Sequence, residues 1–308
     1  MGLMHSMQSA QGRSACATPP PARAPAYGGQ GKSGYVLAGP KCINNDMHRD
    51  ISSLRPAGGK RLIIAVLLFG IAFGYVEAAV VTYLRPQFFS TRAMFNPHSS
   101  RDELFPMLTL EQTRIAGPGM VKTVGTEVVR EAATLLMLGA VAAVAGGNLR
   151  QWLAFFLLTF GTWDIAYYAF LKILIDWPKS LLTWDILFLI PVPWSGPVLA
   201  PALAALMMVA AALAYLWRES SGRPVRLKAI HWLCADAGAL LILAAFIWDY
   251  RTVMEGGMPN SFNWPLFALG EVLWVAALLH GLGAQQSQTT SKSLPSRIRT
   301  ENSEADSE

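Results

Sequence analysis

Five acidic residues lie inside runs otherwise fit for lipid: Glu77, Glu131, Asp164, Asp236 and Glu271. A carboxylate at mid-bilayer costs roughly 2.5–3.5 kcal/mol even on the lenient insertion scale. Such side chains turn towards a partner or a wet cavity, where they can hold a proton, a cation or a basic residue. Residues that could answer them recur at helical spacing. Thr123, Glu127, Arg130, Glu131 and Thr134 follow steps of three and four along one helix face. Arg130 can pair with Glu127 within that helix and still reach an acid on another. Asp164, Tyr168, Lys172 and Asp176 repeat every four residues as a polar stripe, with Tyr167 beside it. That stripe reads either as a pocket wall with Lys172 opposing the acids, or as a salt-bridge ladder with Lys172 snorkelling to the interface. The expected polar pocket, open to the outside, comprises Glu77, Arg130, Glu131, Asp164, Tyr168, Lys172 and Glu271. Burial favours a carboxyl's neutral form and a nearby cation its charged form, so an acid between the two can bind and release a proton or cation.

Other chemistry lacks its residues. His231 and His280 fall on separate runs, and there is neither a His-Glu-x-x-His pair nor a Gly-x-Ser-x-Gly elbow. Cys16 and Cys42 lie in a polar tail and Cys234 in an apolar run, which makes neither a disulfide framework nor a zinc site. No metal and no cofactor is expected, and no catalytic residue is assigned. Residues 26–33 fit a loose P-loop pattern ending in Gly31-Lys32-Ser33, but Pro-rich sequence precedes them where a buried strand is required. Met1-Gly2 with Ser6 matches a myristoylation pattern. The Ala, Gly and Arg bias points to a bacterium, where that modification is not expected. The excess of Lys and Arg over Asp and Glu, 25 against 20, lies mostly in tails and loops. It reads as membrane topology and not as a nucleic-acid groove.

These residues need helices to position them. Of 308 residues 53% are hydrophobic and 15% charged, against about 25% charged in soluble chains. About 20 apolar residues cross the hydrocarbon. Spans are expected near 61–84, 124–146, 151–175, 197–217, 229–250 and 264–283: an all-α, polytopic bundle of six transmembrane helices. Arg49, Arg55, Lys60 and Arg61, then Arg150, then Arg218, Arg223, Arg226 and Lys228 would all lie in the cytoplasm, as would both termini. A seventh span at 181–190 would move the basic 218–228 loop outside. The 85–123 connection is expected to be long. Gly70 and Gly74 permit close helix approach, and Glu77, three residues on, shares their face.

Pro178, Pro191, Pro193, Pro197 and Pro201 interrupt the apolar stretch before the fourth span. Residues 181–190 would rise only about 15 Å as helix. The expectation is a Pro-broken half-helix or an interfacial helix with Trp177, Trp184 and Trp194 in the aromatic belt. The echo of Thr162-Trp163-Asp164-Ile165 in Thr183-Trp184-Asp185-Ile186 is read as coincidence. The domain plan is a disordered cytoplasmic tail at 1–59, a membrane domain at 60–284 and a second disordered cytoplasmic tail at 285–308. Met47 opens a plausible shorter chain.

The stretch from Thr162 to Pro201, including Trp184 through Trp194, resembles a group of bacterial multi-pass membrane proteins with no assigned activity. That resemblance implies an inner-membrane location and supplies no site residues. Function is then expected to be binding or transport of a small ligand, cation or proton. The alternatives are a membrane-embedded enzyme acting on a lipid or isoprenoid, with acids as general acid and base, or an accessory subunit of a membrane complex. Partners under these readings are the lipid bilayer, a small molecule or ion, and a membrane-protein partner or second copy.

Overall fold

The structure is a computed structural model that describes residues 59–97, 108–223, 225, 227–259 and 261–283. The expected tails, the P-loop-like segment, Cys16, Cys42 and Met47 lie outside the described residues, apart from Gly59, which opens the first helix. Among the described residues six helices are long and apolar enough to cross a membrane: Gly59–Phe95, Pro118–Ala145, Leu149–Ile175, Leu199–Ser220, Ala229–Met254 and Trp264–Gly281. The chain is an all-α bundle with the make-up of a multi-pass membrane protein. In chain order the elements are α1 (Gly59–Phe95), α2 (Leu110–Ile115), α3 (Pro118–Ala145), α4 (Leu149–Ile175), β1 (Trp184–Phe188), β2 (Trp194–Pro197), α5 (Leu199–Ser220), α6 (Ala229–Phe246), α7 (Tyr250–Met254) and α8 (Trp264–Gly283).

Helix α4 is the hub, packing against α1, α3 and α5, while α6 pairs mainly with α8. Its start is fixed by Asn148, whose side chain accepts from the backbone N–H groups of Arg150 and Gln151, both at 3.0 Å. Helix α1 buries one stripe, Val66, Gly70, Gly74, Glu77, Ala78, Val81, Arg85, Phe88 and Arg92, in steps of one, three and four. Gly74 is where α1 meets α4 backbone to backbone. A Cβ there would come within 2.8 Å of the Trp163 carbonyl oxygen and 2.9 Å of the Tyr167 nitrogen. The α6–α8 crossing uses the same device, because a Cβ on Gly238 or on Gly270 would lie 2.7 Å from the other's carbonyl oxygen.

Two expectations need correction. The first concerns the 181–190 stretch, which is neither a half-helix nor a helix lying flat. Residues Trp184–Phe188 and Trp194–Pro197 pair as antiparallel strands, with Asp185 opposite Gly196 and Ile186 opposite Ser195. A short apolar run is ambiguous between the two states. Here aromatic and β-branched residues favour a strand, and Pro191 and Pro193 at the turn deny a helix room to continue. The second concerns α1, which does not stop near residue 84 but runs through Pro86 to Phe95. Packing outweighs the proline's local cost, since Arg85, Phe88 and Arg92 are all buried on the face α1 already uses. The Arg85 guanidinium lies 4.2 Å from the Trp177 ring centroid. Within the expected 85–123 connection α2 also forms, started by a reciprocal cap between Thr109 and Gln112.

Candidate functional site

Helices α1, α3 and α4 and strand β1 enclose a hollow of about 90 Å³. Each of the three helices brings an ionisable group because its buried stripe runs through one, while β1 adds apolar wall through Ile186 and Leu187. Helix α1 contributes Glu77 one turn beyond Gly74, where the backbones lie too close for a larger residue. Helix α3 contributes Glu127, Arg130 and Glu131, and α4 contributes Asp164, Tyr167 and Tyr168.

Arg130 is the electrostatic centre of the hollow. Its Nε donates to Glu127 Oε2 at 2.9 Å within α3, and its guanidinium forms an ion pair across the bundle with Glu77. The guanidinium fork can serve two carboxylates at once because its donors lie in one plane. Glu131 faces the other way round the same hollow, where its Oε2 accepts the backbone N–H of Leu189 at 2.8 Å. That contact clamps the end of the strand pair onto α3 and answers a backbone donor that lipid would leave bare. Glu77 and Glu131 are each only 7% exposed.

Asp164 differs from its neighbours. It is 9% exposed, yet its Oδ2 is buried with no hydrogen-bond partner among the described residues. One helical turn on, the Tyr168 hydroxyl donates to Asp185 Oδ2 at 3.0 Å. Asp185 is 1% exposed and sits on the strand pair outside the spans. Burial pushes its carboxyl up to about 7, against opposing pulls from the Tyr168 hydroxyl and the Arg85 guanidinium.

Five of the seven expected pocket residues therefore meet: Glu77, Arg130, Glu131, Asp164 and Tyr168 all line one hollow. Lys172 does not. The polar stripe on α4 leaves the packed interior at its last turn, and Lys172 is exposed there, paired with Asp176 at 2.7 Å. Lys172 and Lys179 together hold the exposed Asp176 carboxyl down to about 2. Glu271, on α8, lines a separate and larger cavity of about 310 Å³ that also reaches Asp164. Asp236 is exposed on α6, beside a third hollow that His231 also lines.

Sequence reasoning missed Asp185 and the Leu189 amide, and it named Tyr167 only as a neighbour of the stripe and not as part of the pocket. The signal for Asp185 was present in the Thr-Trp-Asp-Ile echo. Asp164 and Asp185 are the matching positions of that echo, and both are buried around Tyr168. Among the described residues no three His, Cys, Asp or Glu side chains converge in a way that could hold a metal ion. No protein-family model, no curated protein and no solved structure matches the chain.

Proposed function

We propose that this multi-pass membrane protein binds, and in moving it would transport, a proton or small cation at the hollow between α1, α3 and α4. The observation that carries this reading is Asp164. Its carboxyl is buried with one oxygen unpartnered among the described residues, and the described residues that line the hollow bring four carboxyl groups (Glu77, Glu127, Glu131 and Asp164) to one guanidinium. Glu77 and Glu127 share Arg130 as an ion-pair partner, and Glu131 Oε2 accepts from a backbone amide. Asp164 is left to answer whatever positive charge enters. A purely structural ion cluster would have no need of an unmatched acid, because an unpaired buried charge is destabilising by several kcal/mol.

The location that goes with this reading is a bacterial inner membrane with both termini in the cytoplasm. It rests on the basic residues at 60–61, 150 and 218–228 and on the resemblance given above. The hollow would then open on the outer side, where the strand pair lies beyond the C-terminal end of α4.

Infrared difference spectroscopy of the protein in lipid bilayers tests the site. Acid-minus-neutral spectra should contain a protonated-carboxyl stretch that Asp164→Asn removes, and sodium or potassium should perturb the same band if a metal cation competes. Spectra identical in wild type and Asp164→Asn, with no cation response, would remove the proposal.

A further inference from the structure

The larger cavity lies between α4, α5, α6, α8 and the strand pair. We infer that it is a binding site for an organic ammonium ion with an apolar body. Its volume of about 310 Å³ falls at the lower end of the roughly 300–1,000 Å³ typical of small-molecule pockets. Phe160, Trp194, Phe246 and Trp274 supply aromatic wall. Into that wall are set two carboxyls, Asp164 and Glu271, with Asp164 Oδ2 and Glu271 Oε2 both buried and both without a hydrogen-bond partner among the described residues. Among the described residues that line the cavity there is no Lys, Arg or His.

The chemistry selects the occupant. An anion is repelled by two acids. An uncharged acyl or isoprenoid chain would fill the volume but leave both carboxyls unmatched. A bare metal ion wants several oxygen ligands, and this wall is almost wholly carbon. An ammonium carrying methyl or aryl groups meets each demand at once. Its charge answers Asp164 and Glu271, its carbon surface replaces water against the wall, and aromatic faces attract the cation directly. The inference stands on Glu271, which does not line the smaller hollow, so it goes beyond the reading of that hollow as a proton or cation site. Asp164 lines both spaces.

The test uses full-length protein in nanodiscs of digalactosyldiacylglycerol, an uncharged lipid that carries no ammonium group and does not itself gather cations. Equilibrium dialysis with labelled benzyltrimethylammonium should give saturable binding. Glu271→Gln and Asp164→Asn should each weaken it at least about tenfold. Asp236→Asn, an exposed acid outside the cavity, should leave it unchanged. Neopentylbenzene, the uncharged carbon isostere of the probe, should fail to compete. That arm uses wild-type protein and so does not depend on any variant folding. Absence of saturable binding, equal competition by neopentylbenzene, or unchanged affinity in Glu271→Gln would each overturn the inference. A silent infrared band at Asp164 with intact Glu271-dependent binding would instead remove only the proton or cation site.

Discussion

Removing Arg130 would strand two carboxylates that its guanidinium now matches, one on its own helix and one across the bundle. Its side chain keeps only 24% of its exposure, so water would do little to compensate. Arg130→Met should cost about 3–5 kcal/mol, the range for breaking a buried pair from one side. The Arg130→Met, Glu77→Met double variant should recover part of that loss. Chemical unfolding in bicelles measures both. A single-variant loss below about 1 kcal/mol, as for exposed pairs, would mean that the cluster is solvated. Asp185 carries a pH signature of its own. The folded state holds this proton up to about 7 against the ordinary 3.8, so between those values it binds more protons than the unfolded chain. The stabilisation is complete below the lower value and is lost as pH rises through the higher one. Asp185→Asn should therefore flatten the fall in melting temperature across that window, and an unchanged slope would place the titration elsewhere. At this scale the sequence was readable at Glu77, Glu131 and Asp164, acids that interrupt apolar helices and are buried, but not at Asp236, an acid of the same kind that lies exposed. It was unreadable for Lys172, because helical spacing cannot say at which turn a stripe leaves the protein interior.

The elements make their own contrast. Gly74 and Gly125 are both helix-interior glycines, and helix propensity alone favours alanine by about 1 kcal/mol at either. The surroundings decide between them. Alanine at Gly74 would drive a Cβ to 2.7 Å from the Ala166 Cβ and against the α4 backbone, whereas at Gly125 nothing lies within 4 Å. Gly74→Ala should destabilise by about 1–3 kcal/mol through overpacking, and Gly125→Ala should stabilise by up to about 1 kcal/mol. Thermal unfolding of the two variants side by side checks the pair of signs. Equal effects would mean that α1 and α4 are not in backbone contact. Helix positions could be read from apolar length, and the Gly70–Gly74 spacing could be read as a contact face. The strand pair could not be read as such, since a ten-residue apolar run offers no period long enough to separate strand from helix. The onward course of α1 was hidden by Pro86. A proline argues locally for a stop, while the reason to continue, Arg85 against Trp177, joins residues far apart in sequence.

Across the whole molecule, six apolar helices bring together ionisable groups that are far apart along the chain, from Glu77 on α1 to Asp185 on β1. Length and hydropathy reveal the number of helices, but not which of them touch. The separation of Glu271 from the Arg130 cluster follows from α8 pairing with α6 and not with α1 or α3. Both spaces nevertheless reach Asp164, which makes the middle of α4 the place where any coupling between them would act. On this geometry the acids on α1, α3 and α4 face a shared hollow and not the acyl chains. Solid-state NMR of the protein in lipid bilayers, with labelled Arg, Glu and Asp, measures this directly. The expected spectrum has dipolar contacts from the Arg130 guanidinium nitrogens to the Glu77 and Glu127 carboxyl carbons, and no lipid methylene cross-peaks at Glu131 or Asp164. Strong methylene cross-peaks at those carboxyls, with no Arg130–Glu77 contact, would contradict it.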